Sequence, residues 1–202
     1  NLCFSGGSHT TATAAVKNPH NHAHTTGGSS SGSAALVASG EVDMAIGGDQ
    51  GGSIRMPASW CGVYGLKPTH GLVPYTGAFP IEITLDHLGP ITNNVTDAAL
   101  MLETIAGADG MDPRQYNVKT ERYSKALTND VSGLKIGVIK EGFNWRDSSE
   151  DDVDDSVKTA GKQMEMLGAK VDEISIPFHL DGVHIWNAIA TEGANSLMIK
   201  GN

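Results

Sequence analysis

Apolar and polar positions along this chain follow two periods. Val153, Val157, Ala160, Met164 and Leu167 recur at steps of four, three, four and three, which lines them up on one stripe of a helix. Ser149 caps that helix, Glu150, Asp151 and Asp152 complement its dipole, and Gly168 ends it. Leu134 to Ile139 before it and Ala169 to Ile176 after it read as strands. Together they predict a βαβ unit with parallel strands and a right-handed crossover.

The earlier half is more broken. Ser33 to Ser39 reads as a short helix stopped by Gly40, and Val42 to Ile46 as a strand. Thr96 is the expected cap of a helix with Asp97 in its first turn, burying Ala98, Met101, Leu102 and Ile105 before Gly107. Asp109 to Asn129 is polar and rich in turn residues, a surface connection within one domain. Val183 to Ile199 predicts a last helix with Trp186 and Ile189 inward. The alternation of strands and helices gives an α/β fold class with a mixed sheet wrapped by helices.

Composition sets bounds on these elements. A chain of 202 residues with 39% hydrophobic content and 25 glycines suits one loop-rich domain with a core. A net charge of −9 argues against binding nucleic acid or an anionic membrane, since neither surface attracts it. No apolar run reaches the roughly 18 residues of a membrane span. Cys3 and Cys61 lie far apart with no signal segment before them, which favours free thiols and a cytoplasmic location. Cys61 reads as packing.

Chemistry concentrates in two glycine-serine loops, Gly27 to Ser33 and Gly51 to Ser53. Glycine lets main-chain N–H groups approach a substrate without intervening side chains, and converging N–H groups can hold the oxyanion formed when a serine attacks a carbonyl. Ser53 fits that nucleophile. Other patterns are weaker. His20, His22 and His24 share a side of an extended segment, yet Pro19 and Asn21 suggest a solvated loop, and no carboxylate or cysteine completes a metal shell nearby. Gly28 to Gly32 satisfies G-x-S-x-G with Ser30 central, but no buried apolar strand leads into it. Asp86 and His87 are adjacent, so on an extended segment they point apart, against a Ser-His-Asp site.

The residues Gly27-Gly28-Ser29-Ser30-Ser31-Gly32-Ser33, Gly48-Asp49-Gln50-Gly51-Gly52-Ser53-Ile54-Arg55, Pro57-Ala58 and Cys61-Gly62 resemble, in order and spacing, the signature of the amidase signature family. The likeness continues through Leu66-Lys67-Pro68-Thr69 and Asp86-His87-Leu88-Gly89-Pro90, and this later segment is most similar to bacterial amidases associated with nitrile degradation. The resemblance implies the family's fold, a mixed twisted sheet with helices on both sides, over a single domain spanning 1–202 and truncated at both ends. It also implies a Ser-Ser-Lys triad. Ser53 is then the nucleophile and Ser29 the bridging serine, held after a cis Gly28-Ser29 bond. The N–H groups of Gln50, Gly51, Gly52 and Ser53 form the oxyanion hole, Asp49 and Arg55 brace the loop, and Phe4 lines the acyl side. No metal or organic cofactor is implied. The expected partners are a small-molecule amide and, for the full-length protein, a second copy of itself.

The family's third member is a neutral lysine upstream of the first loop, and the chain is expected to start too late to contain it. Lys17 and Lys67 read as structural, so these 202 residues alone are expected to be inactive. Two other functions stay open. One is the glutaminase component of a glutamyl-tRNA amidotransferase, although the Tyr75 to Pro90 segment argues against it. The other is a binding module that keeps the loops as an anion nest without chemistry.

Overall fold

The computed structural model describes residues 5–200. They divide into two compact units, one within Asn1–Ala126 and Ala188–Asn202, the other Leu127–Asn187. The fold is α/β as expected, and both antiparallel and parallel pairing occur among the described strands, distributed over three small sheets.

The first unit opens with a hairpin, β1 (Lys17–Asn18) and β2 (Asn21–Thr25). The sequence predicts a loop for this histidine-rich segment. Its departure comes from Asn18, whose Oδ1 accepts the His20 N–H at 3.0 Å and tightens the turn through Pro19. Asn18 Nδ2 also donates to the Trp60 carbonyl at 2.7 Å. Helix α1 (Ser31–Ala38) begins earlier than the predicted Ser33, where Ser31 Oγ donates to the Gly27 carbonyl at 2.7 Å. Strand β3 (Met44–Asp49) leads into helix α2 (Arg55–Trp60) and the short strand β4 (Tyr64–Gly65). Strand β5 (His87–Thr92) lies between β3 and β4, antiparallel to both. That pairing, Met44 opposite Thr92 through Asp49 opposite His87, extends β3 beyond the predicted Ile46.

Ala34, Val37, Ile54, Cys61 and Ile91 form the core between α1, α2 and this sheet, with Ala38, Ala45 and Val63 packed against them. Backbone comes very close at Gly89, where a Cβ would lie 2.2 Å from the Leu66 carbonyl oxygen, so only glycine fits there. Helix α3 (Val95–Ile105) buries Ala98, Ala99 and Leu102. Its cap is Asn94, not Thr96. Asn94 has extended backbone and accepts the Asp97 N–H at 2.8 Å, as a side-chain cap must, while Thr96 already lies inside the first turn.

In the second unit β6 (Lys135–Ile139), α4 (Asp151–Met166) and β7 (Lys170–Ile174) form the expected βαβ succession with parallel strands. The packed face of α4 is not the expected one. Val153 and Val157 are each 53% exposed and Leu167 64%, whereas Asp154 is buried and accepts the Asn144 N–H at 2.7 Å. Gly161 lies against the sheet, where a Cβ would make ordinary contact with Val138 at 3.5 Å, and of the predicted stripe Met164 is half-buried. Glu150 occupies the N-cap position, because the Ser149 hydroxyl is taken by the Trp145 N–H at 3.0 Å. Helix α5 (Gly182–Asn195) carries Trp186 and Ile189 at 40% and 38% exposure, against their predicted inward placement.

Candidate active site

Two loops converge on one place. The first leaves β2 at Thr25 and enters α1, and the second leaves β3 at Asp49 and enters α2. The Ser30 N–H donates to the Ser53 carbonyl at 3.2 Å. Ser30 Oγ donates to the Gly48 carbonyl at 3.2 Å and accepts the Gly48 N–H at 3.1 Å. Its hydroxyl is thus used in joining the first loop to β3. The Gly28–Ser29 peptide bond is cis. Backbone of Ser5 to Gly7 packs on Gly28, where a Cβ would be 2.8 Å from the Ser5 carbonyl oxygen. Ser29 Oγ is buried and has no hydrogen-bond partner among the described residues. Ser53 is half-buried.

Asp49 is wholly buried and organises the second loop. Its Oδ1 accepts the Gly52 N–H at 2.7 Å and Arg55 Nη2 at 3.0 Å, and its Oδ2 accepts the Ile54 N–H at 3.1 Å and Arg55 Nε at 3.0 Å. Burial alone would raise its pKa, but the Arg55 guanidinium and the Gly52 and Ile54 N–H groups outweigh it and hold the carboxyl below its ordinary value. The contact with Asp49 in turn raises the Arg55 pKa. Because the Gly52 N–H points at Asp49, it is not directed to an oxyanion. This departs from the set of four N–H groups that the family resemblance implies.

Lys67 Nζ donates to the Pro68 carbonyl at 2.8 Å and to His87 Nε2 at 3.1 Å. His87 Nδ1 lies 2.7 Å from the Leu85 carbonyl, so Nδ1 carries the proton and Nε2 is the acceptor. Burial lowers the Lys67 pKa, with Arg55 adding to the effect. Burial likewise lowers that of His87. The Asp86 carboxylate accepts the Ile81 N–H at 3.0 Å and the Glu82 N–H at 3.2 Å, so Asp86 and His87 serve separate networks, in keeping with their adjacency. Lys17 is exposed on the hairpin.

His20 Nε2 donates to the Cys61 carbonyl at 2.8 Å, while His22 and His24 lie on the exposed strand β2. Among the described residues no three His, Cys, Asp or Glu side chains gather as metal ligands. Cys61 is a buried free thiol within the core, its pKa pushed up by burial. Phe4 lies outside the described residues. No helix among the described residues is long and apolar enough to cross a membrane.

Sequence reasoning missed what lies behind Gln50. Gln50 Nε2 donates to Tyr75 Oη at 3.0 Å across 25 positions of sequence, and the Tyr75 N–H donates to Asp112 Oδ2 at 2.8 Å across 37 more. Arg114 completes the group by pairing with Asp112 at 2.6 Å. No local pattern marks these residues. The Asp112-Pro113-Arg114 turn is the one hint, since its Asp and Arg are close enough in sequence to pair.

Known proteins share this sequence and fold. A family model described as Amidase matches residues 2–201. The enantioselective amidase of Rhodococcus rhodochrous is 51% identical over all of this chain and 39% of its own length. The A subunit of the glutamyl-tRNA(Gln) amidotransferase of a Synechococcus strain is 45% identical over 98% of this chain and 40% of its own. Among solved structures, the corresponding amidotransferase A subunit from Thermotoga maritima superposes with a TM-score of 0.91 at 37% identity, covering 96% of this chain and 42% of that one. A bacterial aryl acylamidase described as an amidase signature enzyme gives 0.81 at 34%, covering 94% and 39%. The chain therefore spans about two-fifths of the length of these relatives. With its two serine loops, its fold and these likenesses in agreement, the chain belongs to the amidase signature family.

Proposed function

We propose that this chain carries the serine half of an amide-hydrolysing site, with Ser53 as nucleophile and Ser29 as bridging serine. The observation that carries it is the Ser29 hydroxyl, which is buried without a partner among the described residues, on a loop hydrogen-bonded to Ser53 through Ser30. Leaving a buried hydroxyl unbonded costs about 1–3 kcal/mol, a cost that a relay role accounts for.

Ser53 Oγ attacks the amide carbonyl while its proton passes to Ser29, and the Ser29 proton passes to a lysine base outside these 202 residues. The tetrahedral oxyanion is held by the N–H groups of Gln50, Gly51 and Ser53, while Gly52 stays on Asp49. Collapse breaks the C–N bond, and the amine leaves with the proton returned through Ser29. Water then attacks the acyl-enzyme and releases the carboxylic acid. Lys67 is a poor candidate for the base because its amine is held by Pro68 and His87, and the 202 residues alone are inactive on this account. No cofactor enters the reaction. The full-length protein acts in the cytoplasm as a homodimer on a small primary or substituted amide, nitrile-derived amides included. Native mass measurement tests the dimer.

The test is fluorophosphonate labelling of the full-length protein. Label lost in Ser53→Ala, slowed in Ser29→Ala and kept in Ser30→Ala is expected. Loss in Ser30→Ala alone would move the nucleophile to Ser30 and sink the assignment. A second reading rests on the likeness to an amidotransferase component at 45% identity. Glutaminase turnover that rises with partner proteins and charged tRNA would favour it over hydrolysis of free amides.

A further inference from the structure

Gln50 is buried and held through its side chain. Its carboxamide donates to Tyr75 Oη and also bonds the Asp86 carboxylate. The Tyr75 hydroxyl passes on to the Phe79 carbonyl at 3.4 Å, and the Tyr75 N–H is fixed by Asp112. Arg114 closes the ring. Its Nε and Nη2 clasp Asp112 at 2.9 and 2.6 Å, its Nη1 donates to the Asp86 carbonyl at 2.7 Å, and its guanidinium stacks 4.9 Å from the Tyr75 ring centre. Gln50, Tyr75, Asp86 and Asp112 are each at most 8% exposed, and the Arg114 side chain 9%.

A buried ion pair adds little net stability over apolar packing, because desolvating both charges offsets their attraction. What such a network does provide is fixed geometry. Here the geometry it fixes is that of Gln50, the first residue of the loop ending in Ser53. Asp49 holds the far part of that loop through Gly52, Ile54 and Arg55. With both parts held, the intervening N–H groups keep their direction without reorganising during the reaction.

We propose that Tyr75, Asp86, Asp112 and Arg114 are positioning residues that act through the Gln50 side chain to aim the N–H groups of the nucleophile loop. This rests on the assignment of Ser53 and that loop given above. Tyr75 is the point to test, since Tyr75→Phe removes one oxygen and leaves the ring under Arg114.

The experiment measures kcat and KM for amide hydrolysis by the full-length protein, normalised to sites titrated with fluorophosphonate so that unfolded molecules do not count. Variants are Tyr75→Phe, Gln50→Met and the double change, with Ser53→Ala as control. The expected result is a fall in kcat of about tenfold in each single variant, with KM within about twofold. The double variant should be no slower than Gln50→Met alone, because that change already removes the link that Tyr75→Phe cuts. Single variants whose kcat matches wild type, or two losses that multiply in the double variant, would overturn the positioning role and leave the Ser53 assignment standing. Turnover that survives Ser53→Ala would overturn both.

Discussion

The Ser30 N–H donates to the Ser53 carbonyl at 3.2 Å, so the two glycine-serine loops meet at one proposed catalytic serine and at the neighbour of the other. Ser30 is therefore a fastener between the loops. Its hydroxyl both donates to and accepts from Gly48, which leaves it badly placed to attack a substrate.

Ser30→Ala should keep fluorophosphonate labelling and lower stability by about 1–3 kcal/mol, the cost of stranding buried polar groups. Urea unfolding beside the labelling rate checks both halves. Abolished labelling at unchanged stability would contradict the fastener role.

Asp49→Asn replaces an acceptor of five hydrogen bonds by a group that is itself partly a donor, so one of Gly52, Ile54 and Arg55 must lose a bond. Labelling of Ser53 should slow by about a hundredfold. Arg55→Ala should be milder, because the Arg55 side chain is 53% exposed and solvent screens the pair. Comparable labelling rates in wild type and Asp49→Asn would show that the loop holds its shape without the carboxylate.

His87 accepts from Lys67 only while neutral, and its folded pKa is lowered, chiefly by burial. Lys67, His70, whose ring is 5.3 Å away, and Asp49, its pairing partner across β3 and β5, are the titratable groups around it. A lowered folded pKa means that the unfolded chain takes up the proton first. His87 thus contributes stability that is complete above the ordinary histidine value of about 6.5 and is lost as pH falls through the lowered folded value. His87→Gln keeps an acceptor and cannot titrate. Thermal midpoints measured from pH 8 down to 5 should fall less steeply in this variant than in wild type, and equal slopes would refute the point.

Arg114→Met should destabilise the protein by about 3–5 kcal/mol, because it leaves the Asp112 carboxylate buried without its partner. The Arg114 contact, with the Tyr75 and Arg114 N–H groups, holds the Asp112 pKa well below the usual carboxylate range. Its stabilisation is present above the unfolded value of about 4 and is lost as pH falls through the folded one. Chemical unfolding between pH 5 and 2 should show that acid limb in wild type and a flatter one in Arg114→Met.

The loop framework of the candidate site was legible because it is local in sequence. Glycines and serines at fixed spacing mark the two loops around Ser29 and Ser53, and the Asp49–Arg55 pair brackets the second of them. The βαβ succession from Lys135 to Ile174 was legible for a similar reason, since period and turn residues act over a few positions. Misjudged features share a different character. The cap of α3 passed from Thr96 to Asn94 because two capping residues stood two positions apart, and backbone geometry chose between them.

The sequence by itself determined the family, the βαβ succession from Lys135 to Ile174, and which serines stand in the two loops, because each is written in residue type and spacing along a continuous stretch. Only the tertiary structure decided which positions of α4 pack, burying Asp154 and leaving Val153 and Val157 exposed. It alone directed the Gly52 N–H to Asp49, and it alone joined Gln50 to Tyr75, Asp112 and Arg114. Such contacts unite residues dozens of positions apart, and their partners are chosen by how β3, β5 and the intervening loops pack, a choice that no local pattern encodes.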